Sequence, residues 1–369
     1  MFKTFFYLVL ILSTLQSNDK AHTFEQNEVC KTCHPLIYDE FTASVHHNAA
    51  TFKDPIHNAV WARHPQNLKE NRYACGKCHS PAADDLDAMI TKGQSAMPDA
   101  KNPTHREGIA CAYCHRIQAI KPHVRSNTNI INETPRNYYG TRQSNGSPFH
   151  TIDTESNSHI LNGNVCIGCH SHKMNSHGIN VCSTNSRNEM DATNCVSCHM
   201  PKVKGSISTL TTTKKHAYHG FPGTHKDAEL LADYIGLEMT PRAEGFSITI
   251  INRASHALLL HPMRMAVLKT TVVRDGQPIP LKDEVFIRII GRDGKPAMPW
   301  AADTTLKDTM IQHLETRKVA YDFTLKTGDR VEAVLGYYLV NPKAVESLGL
   351  EQYEPATKFY ILKERHFTK

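Results

Sequence analysis

Five copies of the pattern Cys-x-x-Cys-His constrain this chain more than any other feature of its sequence. The pattern is typical of a covalent attachment site for c-type haem, in which both thiols form thioethers and the histidine binds the iron. Zinc sites pair their cysteines without a histidine after every pair, and disulfide scaffolds do not repeat this spacing. We therefore predict five covalently attached c-type haems (iron). In each motif two cysteines would attach the haem and the histidine would bind its iron. The five sets are Cys30, Cys33 and His34, Cys75, Cys78 and His79, Cys111, Cys114 and His115, Cys166, Cys169 and His170, and Cys195, Cys198 and His199.

The first residues predict export. A short basic start at Met1–Lys3 precedes about a dozen apolar residues, a length that suits a secretory signal better than a full membrane span. We assign residues 1–21 to a signal peptide or an N-terminal anchor, and the sequence leaves cleavage and retention open. Haem is attached to such motifs outside the energy-transducing membrane. We expect a periplasmic protein that is peripheral to the membrane or held to it by its N-terminus.

The net charge does not indicate nucleic-acid binding. The formal charge is +6 with neutral histidines. An oxidised haem with both propionates ionised carries about −1, so five such groups cancel most of it. The lysines and arginines are scattered along the chain, which is typical of a solvated surface and of partners for propionates. We expect no nucleic-acid partner.

A composition shift predicts two domains. Nineteen of the 23 histidines lie at or before His225, and the last motif ends at His199. We assign 22–225 to a haem domain, 226–243 to a linker and 244–369 to a second domain. About forty residues per haem are too few for an ordinary apolar core. The haems must then serve as the core, wrapped by short helices and long loops.

The second domain reads as β-structure. Phe246, Ile248 and Ile250 alternate with polar residues, and the same period of two runs through 331–339. The pairs at 275–276 and 293–294 are both Asp-Gly, which is typical of hairpin turns. Several such strands indicate an antiparallel β-sandwich. The expected fold class is therefore α+β, with a haem-packed N-terminal domain and a C-terminal sandwich.

The sixth ligand of each iron decides the chemistry. A second axial imidazole favours electron transfer, whereas an open sixth position can bind a small molecule. Eighteen histidines lie outside the motifs, and sixteen of them occur at or before His261. The histidines that could serve as second axial ligands therefore outnumber the five that the irons require. Methionine is an alternative ligand, although packing against a porphyrin is the favoured role for Met174, Met200 and Met263. The eleventh cysteine, Cys182, reads as a buried inert thiol, with a free or intermolecularly paired thiol as the alternative.

Several short elements around the motifs resemble one family. They are Ser44–His46, the Glu-Gly-Ile-Ala lead-in to Cys111, the Ser-Pro-Phe-His run ending at His150, His219–Gly223, and Ala254–Leu258. Together with the five motifs they are similar to the multihaem cytochrome c family that includes cytochrome c554 and the octahaem hydroxylamine- and tetrathionate-converting cytochromes. The resemblance covers most of the chain after the predicted signal.

The resemblance implies candidates for the second axial ligand. His46, His150 and His219 match the family elements, and His123 and His256 follow them. His47 neighbours His46 and is not excluded by the sequence. The other candidates read as surface groups, propionate partners or hydrogen-bonded side chains: His57, His64, His105, His159, His172, His177, His216, His225 and His261.

Two functions of different classes remain after the sequence is read, with an electron carrier favoured. The carrier would pass electrons between a membrane quinol dehydrogenase, or other cytochromes, and a terminal reductase or another acceptor. The alternative is a haem enzyme acting on nitrite, hydroxylamine or tetrathionate at a five-coordinate haem, with Tyr113 and Arg116 near its pocket. The pentahaem nitrite reductases usually carry a CxxC-Lys motif, and none occurs here. We assign no catalytic residue, and a filament subunit is a third, weaker hypothesis.

Overall fold

The computed structural model describes residues 23–94, 97–142, 147–155, 160, 163–184 and 193–369. The predicted signal peptide or anchor over 1–21 lies outside these residues. Within the described ranges, every helix is too short or too polar to cross a membrane.

The N-terminal part is built from helices of one or two turns. Three of them, Pro35–Thr42, Pro55–Trp61 and Pro103–Arg106, begin with a proline at the first helical position, and Asp54 and Asn102 cap the second and third of these. The Asp54 carboxylate accepts from the backbone N–H groups of Ile56 and His57. The α-helices are Asn27–Lys31, Pro35–Thr42, Pro55–Trp61, Gly76–His79, Leu86–Ile90, Pro103–Arg106, Cys111–Cys114, Ile167–His170 and Thr193–His199. A π-helical turn spans Gln66–Glu70, and 3₁₀ turns span Asn164–Cys166 and Ala228–Tyr234.

Four two-stranded pairs lie between these helices. Three of them are antiparallel, and the pair β3–β4 is parallel. Their strands are β1 Ile117–Lys121, β2 Thr128–Ile131, β3 Asn137–Tyr139, β4 Thr151–Asp153, β5 His172–Met174, β6 Asn180–Ser183, β7 Lys202–Lys204 and β8 Lys215–Ala217. The apolar clusters of this part are small, and one of them contains Trp61, Tyr73, Ala83 and Met89. Short helices around small clusters match the predicted haem-packed architecture.

The C-terminal part is an antiparallel sandwich of two sheets. One sheet has the strand order β16-β10-β9, and the other has the order β14-β13-β11-β17-β18, with β12 beside β11 and β15 beside β13. The strands are β9 Ile235–Arg242, β10 Gly245–Asn252, β11 Met265–Arg274, β12 Gln277–Pro280, β13 Glu284–Arg292, β14 Lys295–Pro296, β15 Thr304–Asp308, β16 Thr316–Tyr321, β17 Arg330–Tyr338 and β18 Tyr360–Thr368. Helices Pro342–Leu348 and Glu354–Thr357 separate the last two strands. The predicted α+β class and the predicted sandwich are confirmed.

The core of the sandwich lies between its two sheets. Phe246, Ile248 and Ile250 of β10 pack in one cluster with Leu268 of β11 and Leu335 of β17. All five side chains are fully buried. Burying one large aliphatic side chain contributes roughly 1.5–3 kcal/mol, so this layer holds the two sheets together.

The two Asp-Gly pairs form hairpin turns, as predicted. Asp275 and Gly276 both have positive φ, at 51° and 75°, and they join the paired residues Arg274 and Gln277. Asp293 and Gly294 repeat the arrangement, with φ of 52° and 72°. Positive φ at both central positions is the type I′ geometry, whose twist matches that of the flanking strands.

The sandwich begins inside the segment 226–243 that the sequence analysis assigned to a linker. Strand β9 pairs with β10 from Ile235 to Arg242, along its whole length. Gly236 and Pro241 obscure the alternation of this strand in the sequence. The N-terminal part also packs on the sandwich, since Ala59 of helix Pro55–Trp61 shares a buried cluster with Val340 and Leu348.

Candidate functional site

Each Cys-x-x-Cys-His motif folds as about one helical turn. Positions i, i+3 and i+4 share one face of a helix, so the two thiols and the imidazole of a motif point to the same side. The N–H of the histidine bonds to the carbonyl of the first cysteine in these turns. The N···O distance is 2.9 Å from His34 to Cys30, 3.0 Å from His79 to Cys75 and 3.0 Å from His115 to Cys111.

Backbone carbonyls orient four of the motif histidines. Because a carbonyl oxygen only accepts, the Nδ1 atom beside it must carry the proton, and Nε2 keeps its lone pair. Such second contacts fix the tautomer and the ring orientation of metal-binding histidines. The Nδ1···O distances are 2.6 Å from His34 to Ile207, 3.0 Å from His79 to Ala49, 2.9 Å from His115 to Tyr139 and 2.7 Å from His199 to Pro222.

Four motif histidines each face a second histidine ring. The centroid separations fall in a narrow range, and the paired residues come from distant parts of the chain. His34 faces His150 at 6.3 Å, His115 faces His219 at 6.5 Å, His170 faces His46 at 6.0 Å, and His199 faces His256 at 6.1 Å.

This spacing matches two imidazoles that share one metal ion. Two metal–nitrogen bonds of about 2 Å each place the ring centroids roughly 6 Å apart. Rings in direct contact would lie closer. The four pairs therefore have the geometry of bis-imidazole coordination, with one ligand from a motif and the other from a distant segment.

The fifth motif histidine, His79, has a different neighbour and a different geometry. The ring of His57 lies 4.0 Å from that of His79, centroid to centroid. Both Nδ1 atoms bond to the carbonyl of Ala49, at 3.1 and 3.0 Å. Both Nε2 atoms therefore point away from this shared carbonyl rather than toward each other. A metal ion bound to Nε2 of His79 would therefore not lie between these two rings.

The structure does not bring His123, the remaining predicted ligand, to any motif histidine among the described residues. Its Nδ1 accepts from the N–H of Arg125, and its side chain is exposed. His57 occupies the position beside His79 instead. In the sequence His57 was only one competitor among ten, and nothing in its local sequence distinguishes it.

Most of the other histidines considered as axial ligands make contacts that account for their positions without an iron. Their ring nitrogens contact charged side chains or the backbone. The distances are 3.0 Å from His47 Nε2 to Lys53 Nζ, 2.6 Å from His105 Nε2 to Asp85, 2.8 Å from His216 Nε2 to Glu40, 3.3 Å from His225 Nε2 to Arg264 and 2.8 Å from His172 Nε2 to the His123 carbonyl. His64 packs against Trp300, His261 accepts from the N–H of Met263, His177 is exposed, and His159 lies outside the described residues.

Burial keeps the facing histidines neutral. It lowers the pKa of His46 and of His219 to about 3, with neighbouring histidines adding to the effect. Burial likewise lowers the pKa of His150 and of His256. A neutral imidazole is the form that binds a metal ion. The lowered pKa of each ring therefore favours the binding-competent form.

One short segment serves three of the sites. His219 faces His115, and the carbonyl of Pro222 orients His199. Between them, the ring of Phe221 packs edge-on against His46 at 4.2 Å. Phe221 has a φ of 52°, which is uncommon for a bulky residue and costs of the order of 1–3 kcal/mol. The strained turn therefore brings His219, Phe221 and Pro222 into contact with residues of three different haem sites.

The five motifs touch one another in an order that differs from their order in the chain. The thiols of Cys30 and Cys111 are close enough to shift each other's pKa, which places the first motif beside the third. The thiols of Cys78 and Cys169 are close enough to do the same, which places the second motif beside the fourth.

The fourth motif also contacts the fifth and is tied to the third. The thiols of Cys166 and Cys195 are close enough to shift each other's pKa. Asn129 donates to the Tyr113 hydroxyl at 2.9 Å and lies 3.7 Å from the sulfur of Cys169. All five motifs thus form one continuous group in which the fourth has three neighbours.

The donor set fits c-type haem. Each motif presents two thiols and an imidazole on one face, and four motifs have a neutral imidazole at the spacing of a second axial ligand. The Nδ1 atoms of His46 and His150 are buried without a hydrogen-bond partner among the described residues, but so are those of His47 and His216, so the facing geometry and not this feature identifies the candidate ligands. Haem bound at these motifs supplies a one-electron Fe(III)/Fe(II) couple.

Three side chains considered in the sequence have structural roles here. Arg116 is buried and donates to the carbonyls of Asn132 and Thr23, at 2.8 and 2.7 Å. Tyr113 is buried and accepts from Asn129. Cys182 lies in β6, where burial raises the pKa of its thiol, which favours the inert form.

Comparisons with known proteins agree with this geometry. Residues 29–116 match the family model "Cytochrome c554 and c-prime". The fold is similar to a penta-haem cytochrome c552 from Thermochromatium tepidum, with a TM-score of 0.73 and 22% sequence identity over 94% of this chain and 99% of that one. No curated protein matches the chain in sequence. The resemblance read from the short elements is confirmed.

Proposed function

We propose, from the premise that this chain belongs to the multihaem cytochrome c family, that it carries electrons in the periplasm through five covalently bound haems. Its donor would be a membrane quinol dehydrogenase or another cytochrome, and its acceptor a terminal reductase or other redox protein. The observation that supports this proposal best is the set of four histidine pairs with centroids 6.0–6.5 Å apart.

Two axial imidazoles leave an iron no open position for a substrate. Such a centre takes up and releases electrons without making or breaking bonds to small molecules. The protein's part is to hold the rings still, and the carbonyls of Ile207, Tyr139 and Pro222 do this for three of the motif histidines. Rigid, fully coordinated centres support a carrier.

The contacts between motifs also support a relay. An electron carrier with several centres needs them close together, and thiols near enough to shift each other's pKa place the first motif beside the third, the second beside the fourth and the fourth beside the fifth. Asn129 ties the third to the fourth. No motif is isolated from the group, so no centre requires an electron to cross a thick layer of protein.

Spectroscopy of the holoprotein tests this proposal. We expect a pyridine haemochrome assay to give five haems per chain, and electron paramagnetic resonance (EPR) of the oxidised protein to show at least four low-spin ferric centres. Redox titration should show every haem cycling without loss of spectral intensity. Fewer than four low-spin centres, or markedly fewer than five haems, would contradict the proposal.

A second candidate function rests on the second motif. His57 does not lie across a metal-sized gap from His79, so an iron bound by His79 would lack the facing imidazole that the other four motif histidines have. The hydroxyl of Tyr73 is buried without a partner among the described residues, and burial raises its pKa, so it keeps its proton. Burial lowers the pKa of His79, and the charges of His57 and Lys173 add to the effect. A proton donor and a cation near an open iron would suit the binding of a small anion.

Turnover assays separate the second candidate from the first. The enzyme candidate predicts reduction of nitrite or hydroxylamine, or conversion of tetrathionate, at a rate that falls in Tyr73→Phe. The carrier predicts no turnover of these compounds above that of free haem. Tyr73→Phe leaves the four paired sites intact and therefore serves as the matched variant.

A further inference from the structure

The hairpin formed by β7 and β8 carries an unusual concentration of positive charge. Lys202, Lys204, Lys214 and Lys215 are all exposed on it. In the register of the two strands, Lys202 lies opposite Ala217 and Lys204 lies opposite Lys215. Directly paired residues point to the same face of a hairpin, and alternate residues share that face. Three of the four lysines therefore project from one side.

Nothing within the described chain neutralises this face. Like charges directly opposite each other destabilise a strand pair, and Lys204 and Lys215 stand in that relationship. No described carboxylate forms an ion pair with any of the four lysines. Glu40 lies on the inner side, where its two oxygens bond His216 Nε2 at 2.8 Å and the His219 N–H at 3.0 Å. The lysines of the outer face therefore have no acidic partner among the described residues.

The same hairpin is tied directly to two haem motifs. It begins three residues after His199, the last residue of the fifth motif. The loop between its strands reaches the first motif, where the carbonyl of Ile207 orients His34 at 2.6 Å and the N–H of Thr209 donates to Cys33 O at 2.8 Å. A molecule that rests on the hairpin is therefore next to two of the five attachment sites.

An apolar rim adjoins the lysines. Leu210, in the same loop, is 67% exposed, and Leu36, whose side chain packs against Gly205, is 39% exposed. Transient electron-transfer contacts combine a small apolar contact with surrounding charge, because charge steers the encounter and the small area lets the partner leave.

We propose that the β7–β8 hairpin is the docking surface for an acidic electron-carrier protein. The inference rests on the proposed function and adds the class of partner and its place of contact. Charge complementarity selects the occupant, since an acidic surface offsets the repulsion between Lys204 and Lys215. The contacts of the hairpin with the first motif favour an electron-carrying protein over an anionic lipid surface, because only such a protein exchanges electrons with that motif.

Charge reversal on the holoprotein tests the docking surface. The variant is the triple Lys202→Glu, Lys204→Glu and Lys215→Glu, and the probe is a reduced flavodoxin, an acidic electron carrier. The matched control is the triple Lys295→Glu, Lys307→Glu and Lys318→Glu, which changes net charge equally at exposed lysines of the sandwich. Two quantities are measured: the dissociation constant by calorimetry, and the second-order rate of haem reduction by stopped flow, both over a range of salt concentrations.

We expect the hairpin triple to weaken binding and slow reduction about tenfold at low salt, with a flatter salt dependence, and the control triple to change both less than about twofold. Equal losses in the two triples, or an unchanged hairpin triple, would overturn the proposal. It would also be overturned if the hairpin triple abolished binding to vesicles of anionic phospholipid while flavodoxin reduction stayed the same. Reduction by dithionite separates a failure of the docking proposal from a failure of the proposed function. Haems that dithionite does not reduce would contradict the proposed function itself.

Discussion

His57 lies beside His79 with ring centroids 4.0 Å apart, and both rings bond the carbonyl of Ala49 through Nδ1. The four other motif histidines face their partners at 6.0–6.5 Å. We therefore expect one haem in five to be high-spin in the oxidised protein and to bind carbon monoxide when reduced. EPR and carbon monoxide titration measure this fraction.

The variant His57→Ala sharpens this prediction. Because His57 is not placed to bind the iron beyond His79, its removal should leave the high-spin fraction unchanged. A wild-type protein with only low-spin haem, together with a new high-spin haem in His57→Ala, would mean that His57 is an axial ligand after all.

Removal of His219 should change the spin state of a different haem. His219 is buried, its pKa is lowered to about 3, and its ring faces His115 at 6.5 Å. We expect His219→Ala to turn one low-spin haem into a high-spin one and to shift its reduction potential, as seen by EPR and redox titration.

The control for this variant is His123→Ala. His123 was predicted as a ligand from the sequence, but it is exposed and faces no motif histidine among the described residues. Its removal should leave the spectrum unchanged. If the two variants give the same spectra, the assignment of His219 fails.

The parts of this fold that follow local spacing could be predicted from the sequence. The motifs need only i, i+3 and i+4 on one turn, and the turn at Asp275–Gly276 needs only two residues that tolerate positive φ. Strand β9 was missed because Gly236 and Pro241 interrupt its alternation, and its identity depends on pairing with β10.

The second axial ligands depend on long-range packing, which no local pattern encodes. His46 and His170 face each other across more than a hundred residues of sequence, and Phe221, from a third segment, packs against His46. His57 and His123 look alike in sequence, since both are histidines near a motif. Only the tertiary structure places one beside Ala49 and the other in solvent.

Gly108 ties the third motif to the segment that carries His46. It has a φ of +63°, and a Cβ added there would lie 2.5 Å from the carbonyl oxygens of both His46 and His47. We expect Gly108→Ala to destabilise the protein by more than the roughly 1–2 kcal/mol that the left-handed backbone costs alone. We also expect it to perturb the low-spin signal of the haem bound through His170. Urea denaturation and EPR provide the two readouts.

Gly93 is the matched control for this substitution. It has a similar φ of +81°, but a Cβ added there meets nothing within 4 Å. Gly93→Ala should therefore show the backbone cost without the spectral change. Equal effects on stability in the two variants would show that contact with the His46 carbonyl is unimportant.

The ion pair between Asp329 and Arg274 should make the sandwich sensitive to acid. Arg274 donates to both carboxylate oxygens, at 3.0 and 2.7 Å, and with the N–H of Lys326 it lowers the pKa of Asp329 to about 2. A carboxylate whose pKa is depressed by folding stabilises the protein above its unfolded pKa, and this contribution is lost as the pH falls through the folded pKa.

We expect Asp329→Asn to lower the melting temperature at pH 7, and the difference from wild type to shrink between about pH 4 and pH 2. Calorimetry of the two holoproteins across this range measures the difference, and Asp322→Asn, at an exposed pair with Arg242, should show little change. A constant difference between Asp329→Asn and wild type down to pH 2 would show that the ion pair is not the source of the acid sensitivity.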